Sequence, residues 1–254
     1  MVNRKMGTAL ERGMRNMIKI NKKDLFHVHS FRCRHAENVP DRSYIEKAIG
    51  LNAKAIWFTD HSPFPGDPFK REHRMLYSEL AEYVSTLSAL KEEYRDRIDV
   101  HIGLETEFFP KYDKLGYYTE LRSNPDIEML LLGQHMAELP EGGYSYDWNK
   151  DELEEAEYKV LGEAILEGIE SGYFDAVAHP DRIFRRRKIW DADMEEMAER
   201  IISAAQRCGI PLEKNESSKR EANYYWEEFW QMAEERVEAI RGLDAHSLKE
   251  LIAL

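Results

Sequence analysis

Two short motifs place metal-binding side chains near opposite ends of the chain. His27 and His29 form a His-x-His pair, and Asp244 and His246 form an Asp-x-His pair. Side chains two residues apart on a β-strand point to the same face, so each pair can bind one ion. Glu105 supplies a carboxylate that can bridge two cations. Imidazole and carboxylate ligands together favour zinc, manganese or iron, and such ions activate water for hydrolysis.

Four further histidines occupy comparable positions along the chain, at or shortly after the end of an apolar segment. They are His35, His61, His135 and His179. A single histidine of this kind is usually a hydrogen-bonded structural residue. Seven of them, together with Glu105 and Asp244, favour a metal centre. Nine ligands are too many for one ion, so the sequence predicts two or three divalent ions and in-line hydrolysis by a bridging hydroxide.

Two other histidines are interpreted as structural, and one other carboxylate is an alternative ligand. His101 begins an apolar segment and His73 opens a long charged one, so we predict structural roles for both. Glu107 lies two residues after Glu105 and shares its face, which makes it an alternative ligand. We prefer Glu105 because Glu107 lies nearer the end of the strand.

The elements that must position these residues follow a regular alternation. We predict seven strands at residues 25–30, 53–59, 100–108, 128–134, 174–178, 210–213 and 237–242. We predict helices at residues 42–49, 71–95, 117–122, 152–171, 193–208 and 225–236. Strands that alternate with helices indicate parallel strands joined by right-handed crossovers.

Seven such units favour a fold of the α/β class, a distorted seven-stranded (β/α)7 barrel similar to a TIM barrel. An open, doubly wound sheet is the alternative. The carboxyl ends of barrel strands meet at one rim, so histidines that are distant in sequence are expected to converge there. Eight residues follow His246, which leaves room for one short helix and no eighth strand.

Length and composition bound the domain organisation. A chain of 254 residues is within the range of one α/β barrel, although two compact domains are also possible. We predict a single catalytic barrel domain over residues 23–254. Residues 1–22 form a basic N-terminal extension, to which we assign no function.

Charge and cysteine content exclude several classes of protein. The net charge of −12 argues against general binding to nucleic acid or anionic membranes, and an anionic substrate would need a local cation. No segment has the roughly 20 consecutive apolar residues of a membrane helix, so we expect a cytoplasmic protein. The two cysteines are far apart and form neither a disulfide framework nor a Cys-x-x-Cys zinc site.

The chain resembles the polymerase and histidinol phosphatase (PHP) family of metal-dependent phosphoesterases. The matching segments occur in family order over almost the whole chain, with His35 downstream of the first. They are His27-Val28-His29-Ser30, Thr59-Asp60-His61, Gly103-Leu104-Glu105, Gly133-Gln134-His135, Ala178-His179-Pro180, Leu212-Glu213-Lys214-Asn215 and Gly242-Leu243-Asp244-Ala245-His246-Ser247. The resemblance implies a distorted seven-stranded barrel, which agrees with the strand count.

The resemblance also implies a trinuclear centre with defined ligand sets. These are His27, His29, Glu105 and Asp244 for one ion, Glu105, His135 and His179 for a second, and His35, His61 and His246 for a third. Glu105 would bridge two ions, and Asp60 would orient a neighbouring ligand by a hydrogen bond.

The resemblance implies hydrolysis of a phosphate monoester, so a small phosphorylated metabolite is the expected partner, with L-histidinol phosphate as the leading substrate. Glu105 would act through the ions, and Asp244 or His246 would manage the proton. Arg182 and Arg185 follow His179 and are the candidate phosphate-binding residues. The alternatives are a phosphodiesterase or 3′–5′ nuclease with the same metals, or a non-catalytic metal-binding protein, which would be expected to have lost ligands.

Specificity is expected from the loops at residues 62–70 and 137–150. Aromatic side chains there could enclose a small organic group, and acidic ones could bind an ammonium, although ordinary loop packing explains them equally well. The aromatic residues are Phe64, Phe69, Tyr144, Tyr146 and Trp148, and the acidic residues are Asp67, Glu138, Glu141 and Asp147.

Overall fold

The computed structural model describes residues 19–69 and 73–253. Seven strands form one parallel sheet in chain order, which confirms the predicted strands and the barrel. They are β1 (Leu25–Val28), β2 (Ala55–His61), β3 (Asp99–Thr106), β4 (Met129–Leu132), β5 (Ala176–Val177), β6 (Leu212–Asn215) and β7 (Ala239–Gly242). The predicted extension over residues 1–22 falls mostly outside the described residues.

The sheet is nearly closed by contacts between its first and last strands. The amides of Leu243 and Ala245 donate to the carbonyls of Phe26 and His27 at 2.9 and 3.0 Å. The amide of His29 donates in turn to the carbonyl of Ala245 at 2.9 Å. Closure therefore places the His-x-His and Asp-x-His motifs side by side, although more than two hundred residues separate them.

Helices connect the strands and cover the outside of the barrel. They are α1 (Asp41–Gly50), α2 (Leu80–Tyr94), α3 (Pro110–Lys114), α4 (Tyr117–Ser123), α5 (Lys150–Ser171), α6 (Ala192–Cys208) and α7 (Glu227–Ala233). The prediction missed α3, which has proline in its first turn. The segment expected to form a short helix after His246 contains a turn in which the amide of Glu250 donates to the carbonyl of Ser247.

The helix predicted over residues 71–95 is wrong in its first part. Residues 70–72 lie outside the described structure, and α2 begins only at Leu80. His73 has a φ of 56°, which a right-handed helix does not allow. The amide of Tyr77 donates to Asp67 Oδ1 at 2.7 Å, which ties this segment to the preceding loop.

Two apolar layers hold the barrel together. The larger one lies between the sheet and the surrounding helices. A smaller cluster fills the lower, amino-terminal part of the barrel interior; it consists of Phe26, Ala55, Trp57, Met129, Leu131, Ala176, Ala178 and Ile240. The upper part of the interior is lined by histidines and carboxylates, so burial there depends on polar pairing.

A bulge in β1 brings His27 into the barrel. Leu25 pairs with Ile56, and Val28 pairs with Phe58. β1 therefore contains one residue more than β2 between these two pairs. His27 is the irregular residue, with a φ of 65°. A bulge allows two consecutive residues to face the same side of a sheet. Both the preceding phenylalanine and His27 therefore face inward.

Among the described residues, no helix is both long enough and apolar enough to cross a membrane.

Candidate metal centre

Glu105 lies at the middle of the upper barrel interior, on β3, and is fully buried. Its Oε2 atom is 3.0 Å from Nδ1 of His61 and 3.3 Å from Nε2 of His27. Its Oε1 atom is 2.9 Å from Nε2 of His179 and 3.5 Å from Nε2 of His135. The two oxygens thus face different histidines, which is the arrangement expected of a carboxylate that bridges two ions.

Ligand atoms from distant strands converge around this carboxylate. In each of the following groups the donor atoms lie within 4.8 Å of one another. The groups are His27 with His29 and Asp244, His27 with Glu105 and His179, His29 with His61 and Glu105, and His35 with His61 and His246. The first and last of them agree with ligand sets that the family resemblance implies.

His135 lies between two carboxylates. Its Nε2 atom faces Glu105 at 3.5 Å, and its Nδ1 atom is 3.2 Å from Oε1 of Glu107. Glu107 itself accepts hydrogen bonds from both terminal nitrogens of Arg74, at 2.9 and 3.0 Å. Glu107 therefore lies behind His135 and orients its ring, a role the sequence did not predict.

The donor set fits divalent cations. In the described part of the chain, Nε2 of His27, His29 and His246 and Oε2 of Glu105 are buried without a hydrogen-bond partner. Buried polar atoms are nearly always paired, so four unpaired atoms converging on one region indicate a charged ligand. The geometry and the mixture of imidazole and carboxylate suit zinc, manganese or iron.

The protonation states also suit metal binding. Burial lowers the pKa of His61 to about 3 and that of His179 to about 4. Burial likewise lowers the pKa of His35 to about 4. These imidazoles are neutral at pH 7, as a ligand must be. Burial opposes ionisation of Glu105, but the surrounding imidazoles, with His27 foremost, hold its pKa well below the usual value.

His27 differs because a second carboxylate lies behind it. Its Nδ1 atom is 2.6 Å from Oε1 of Glu213, a fully buried residue of β6. Burial alone lowers the pKa of His27, but the adjacent carboxylates, with Glu213 foremost, outweigh this effect and raise the pKa well above normal. A carboxylate that accepts from Nδ1 turns Nε2 toward a metal. The sequence showed Glu213 within a family motif but did not reveal this role.

Two glycines make room for these carboxylates. A Cβ atom on Gly133 would lie 2.1 Å from Oε1 of Glu105, and one on Gly242 would lie 1.5 Å from Oε1 of Glu213. No other residue type leaves this space. Both glycines belong to the motifs that carry the resemblance, so their spacing was the available signal for the carboxylate positions.

Backbone strain is concentrated at the candidate ligands. His27, His179 and Asp244 have φ angles of 65°, 29° and 51°. Such angles are uncommon for residues other than glycine and cost free energy, on the order of 1–3 kcal/mol each. Strained backbones of this kind cluster at functional sites, because the surrounding structure holds the side chains where chemistry requires them.

Asp60, on β2, is fully buried and binds Ser30 of the loop that follows β1 rather than a histidine ring. Its Oδ1 atom accepts from the amide of Ser30 at 2.9 Å, and its Oδ2 atom accepts from the Ser30 hydroxyl at 2.6 Å. Nδ1 of His29 lies 3.9 Å from Oδ1, beyond hydrogen-bond distance. Burial raises the pKa of Asp60 to about 7.

A cleft of about 330 Å³ opens above the ligands. Arg182 lines it, and its guanidinium donates to Oδ2 of Asp244 at 2.7 Å. Arg74 also lines it, is only 5% exposed and follows the loop after β2. Sequence reasoning missed Arg74 because its segment was assigned to a helix.

The remaining predicted substrate residues lie outside this cleft lining. Arg185 donates to Oε1 of Glu157 at 2.6 Å and to the carbonyl of His135 at 3.0 Å, so it supports the loop of that histidine. Phe64 and Phe69 are buried and pack against each other with ring centroids 5.8 Å apart. These two aromatic residues therefore contribute to packing.

The other acidic and aromatic candidates of these loops also lie away from the described cleft lining. Asp67 accepts from the amide of Tyr77, and Glu138 accepts from the amide of Lys111 at 2.9 Å. Tyr144 packs on Phe69 with ring centroids 4.8 Å apart. The side chains that extend more into solvent are Glu141, Tyr146, Asp147 and, partly, Trp148.

The two histidines interpreted as structural have different positions. His101 stacks on Trp57 with a centroid distance of 3.8 Å, and its Nδ1 atom is 2.8 Å from Oε2 of Glu128. This arrangement supports the structural interpretation. His73 instead lines the cleft, with its ring centroid 5.0 Å from that of His35. It is therefore a residue of the cleft wall and not part of a helix.

Comparison with known proteins identifies the family. The PHP domain matches residues 26–217, about three quarters of the chain. The chain belongs to the PHP family. A relative named probable histidinol-phosphatase, from Deinococcus radiodurans, is 31% identical to this PHP chain over 162 residues, which is 61% of the chain and 59% of the relative. The histidinol-phosphatase of Bacillus subtilis is 23% identical over 247 residues, 87% of the chain and 92% of the relative.

Solved structures share the same fold. A structure from Listeria monocytogenes, described as a histidinol phosphatase, has a TM-score of 0.73 at 18% identity and covers 90% of this PHP chain and 97% of its own. The histidinol phosphate phosphatase of Lactococcus lactis, solved with zinc, L-histidinol and phosphate, has a TM-score of 0.69 at 21% identity. That likeness covers 89% of this chain and 87% of the other.

Proposed function

We propose that this protein hydrolyses a small phosphate monoester at a centre of three divalent ions, with L-histidinol phosphate as the best candidate substrate. The observation that carries the proposal is the convergence of unpartnered, buried nitrogen and oxygen atoms around Glu105, below a cleft lined by two arginines. The names of the relatives support the choice of substrate.

The proposed ligands divide by position. His27, His29 and Asp244 would hold one ion together with Glu105, since Oδ1 of Asp244 lies 3.3 Å from Nε2 of His29. His135 and His179, which face Oε1 of Glu105, would hold a second ion together with that carboxylate. The third ion would be bound by His35, His61 and His246, whose donor atoms form one group.

Bound divalent ions would supply two effects, neutralisation of the phosphoryl charge and a lower pKa for an attacking water. Residues of the protein would bind the phosphoryl group and move the proton. Arg74 and Arg182 line the cleft and would bind phosphoryl oxygens, and Arg74 keeps an Nε that has no partner among the described residues although its terminal nitrogens bind Glu107. Asp244 or His246, both of which line the same cleft, would accept or return the proton. Neutral histidines keep their lone pairs for the ions.

The test is phosphate release from L-histidinol phosphate by protein reconstituted with manganese or zinc. An aryl phosphate and a dinucleotide serve as competing substrates. His29→Ala removes a ligand, and His101→Ala is the matched control because His101 is a histidine outside the centre. We expect turnover of histidinol phosphate that depends on His29 and not on His101.

Other outcomes decide between the alternatives. Reaction with the aryl phosphate alone would retain the metal chemistry and remove histidinol phosphate as the substrate. Preference for the dinucleotide would favour a phosphodiesterase or nuclease. Absence of turnover with every substrate, in protein that contains its metals, would favour a non-catalytic metal-binding protein.

A further inference from the structure

Cys33 lies beside two candidate ligands but belongs to none of the ligand sets proposed above. It ends the short 3-10 turn Phe31–Cys33 and is fully buried. Its sulfur, a ring nitrogen of His29 and a ring nitrogen of His246 all lie within 4.8 Å of one another. A thiol and two imidazoles at this separation form a possible ligand set for one ion.

The backbone of the turn holds the cysteine in this position. The amide of Cys33 donates to the carbonyl of Ser30 at 3.2 Å. The carbonyl of Cys33 is 2.8 Å from Nδ1 of His35, which must carry the proton because a carbonyl only accepts. The cysteine is therefore anchored at both ends, and its side chain stays next to the histidines.

The two histidines are stacked, and each has a ring nitrogen without a partner among the described residues. Their rings stack with centroids 4.2 Å apart and an interplanar angle of 12°. Among the described residues, both ring nitrogens of His29 and Nε2 of His246 have no hydrogen-bond partner. His29 is fully buried, and its Nδ1 atom is not among the unpaired atoms assigned to the main centre, so it is an additional buried nitrogen without a partner among the described residues.

The chemistry of this group differs from that of the rest of the centre. The other groups combine imidazoles with hard carboxylate oxygens or contain imidazoles alone. A thiolate is a soft ligand and prefers soft or borderline ions, of which cadmium is a simple probe. When the sulfur binds such an ion, its S–H proton is released to solvent, and one S–metal bond replaces one S–H bond.

We propose that Cys33, His29 and His246 form a separate binding site for one thiophilic divalent cation, and that occupation of this site inhibits the enzyme. The inhibition follows from shared ligands. His29 also belongs to the group with His27 and Asp244, and His246 also belongs to the group with His35 and His61. An ion held beside Cys33 therefore removes one histidine from each of two other positions. The inhibitory part rests on the proposed phosphatase function, and the binding part does not.

Cobalt binding tests the site without any activity. Metal-free full-length protein is loaded with excess Co²⁺, and its near-ultraviolet spectrum is recorded. A thiolate bound to cobalt gives an intense sulfur-to-metal charge-transfer band, which imidazoles and carboxylates do not give. We expect this band in the unchanged protein and in Cys208→Ser, and its loss in Cys33→Ser. Cys208, at the end of α6, is the matched control thiol.

Cadmium inhibition tests the consequence. Manganese-loaded protein is titrated with Cd²⁺, and each variant is compared with its own uninhibited rate. We expect half-inhibition of Cys33→Ser to need roughly tenfold more Cd²⁺ than the unchanged protein needs, because the soft ligand is lost. Cys208→Ser should match the unchanged protein. Circular dichroism and Cys33→Ala check that the serine variant is folded.

The outcomes separate the two proposals. A missing charge-transfer band in cobalt-loaded unchanged protein overturns the site, and so does a band that persists in folded Cys33→Ser and Cys33→Ala. A band that depends on Cys33, together with equal Cd²⁺ sensitivity of all variants, overturns the inhibition. If no substrate turns over but the band depends on Cys33, the phosphatase proposal fails and the metal site stands.

Discussion

The two ends of the barrel interior use the same residue type for opposite purposes. On β2 and β3, Trp57 pairs in register with His101 at the lower end, and His61 pairs with Glu105 at the upper end. His101 at the lower end stacks on Trp57, and its Nδ1 atom is 2.8 Å from Oε2 of Glu128. At the upper end several imidazoles share one carboxylate and keep unpartnered nitrogens. The surplus of donor atoms, rather than histidine itself, distinguishes a metal site from structural support.

The largest expected effect comes from removing the shared carboxylate. Glu105→Gln keeps the size of the side chain but loses the charge that faces five histidines. We expect phosphatase activity to fall by about three orders of magnitude, since a neutral amide cannot bridge cations. Bound metal, measured by elemental analysis, should also fall. Retention of full metal content and activity would show that Glu105 is only a structural partner.

A smaller effect is expected from Glu213, which binds a candidate ligand but belongs to none of the ligand sets. Glu213→Gln weakens the hydrogen bond that orients His27, which is 2.6 Å long. Loss of such a supporting group typically costs about 10–100-fold in metal affinity or activity. The measurement is metal dissociation into a chelator, with Glu128→Gln as the control at the lower end. Equal dissociation from both variants would contradict the role of Glu213.

Replacement of single arginines tests which of them bind the substrate. Arg74→Lys keeps the positive charge beside Glu107 but loses the two parallel hydrogen bonds of a guanidinium. We expect kcat/KM to fall by about tenfold, mostly through KM, because phosphate binding weakens. Arg185→Lys should leave KM unchanged, because Arg185 lies outside the described cleft lining. A larger effect from Arg185 would restore it as a substrate residue.

At the lower end the expected effect is on stability alone. His101→Ala removes the stacking on Trp57 and the hydrogen bond to Glu128. We expect a loss of about 1–2 kcal/mol in the free energy of unfolding. Denaturant unfolding measures it, and phosphatase activity and metal content should stay unchanged. A fall in activity comparable with that of His29→Ala would mean that the two ends are coupled.

The smallest effect concerns acid stability. Although burial opposes it, hydrogen bonds from His101 and Lys91 lower the pKa of Glu128 to about 2. The pKa of an unfolded glutamate is about 4.3, so the folded state favours the charged form. The resulting stabilisation is complete above about pH 4.3 and is lost as the pH falls toward 2. Glu128→Gln should therefore lose less unfolding free energy over this interval than the unchanged protein. Identical losses would contradict the pairing.

The sequence was most informative where local pattern and position coincide. The predicted strands are all present because apolar runs bounded by helix-length segments leave little choice in an α/β fold. The predicted helix over residues 71–95 failed at its start because Tyr77 bonds to Asp67, a contact that charge pattern does not encode. Arg185 was chosen for its position near His179, but Glu157 binds it. Arg74 was missed because only folding brings it to the cleft.

The sequence by itself determined the residue types, the His-x-His and Asp-x-His spacings, and the order of strands that must bring them to one rim. The tertiary structure alone decided which partner each group obtained. His27 enters the barrel through a bulge and meets Glu213, while Gly242 leaves the space for that carboxylate. Local spacing follows from the period of a strand, whereas pairing between distant residues depends on closure of the whole barrel. The kind of chemistry can therefore be predicted from the sequence, whereas the positions of the ligand atoms are set only by packing.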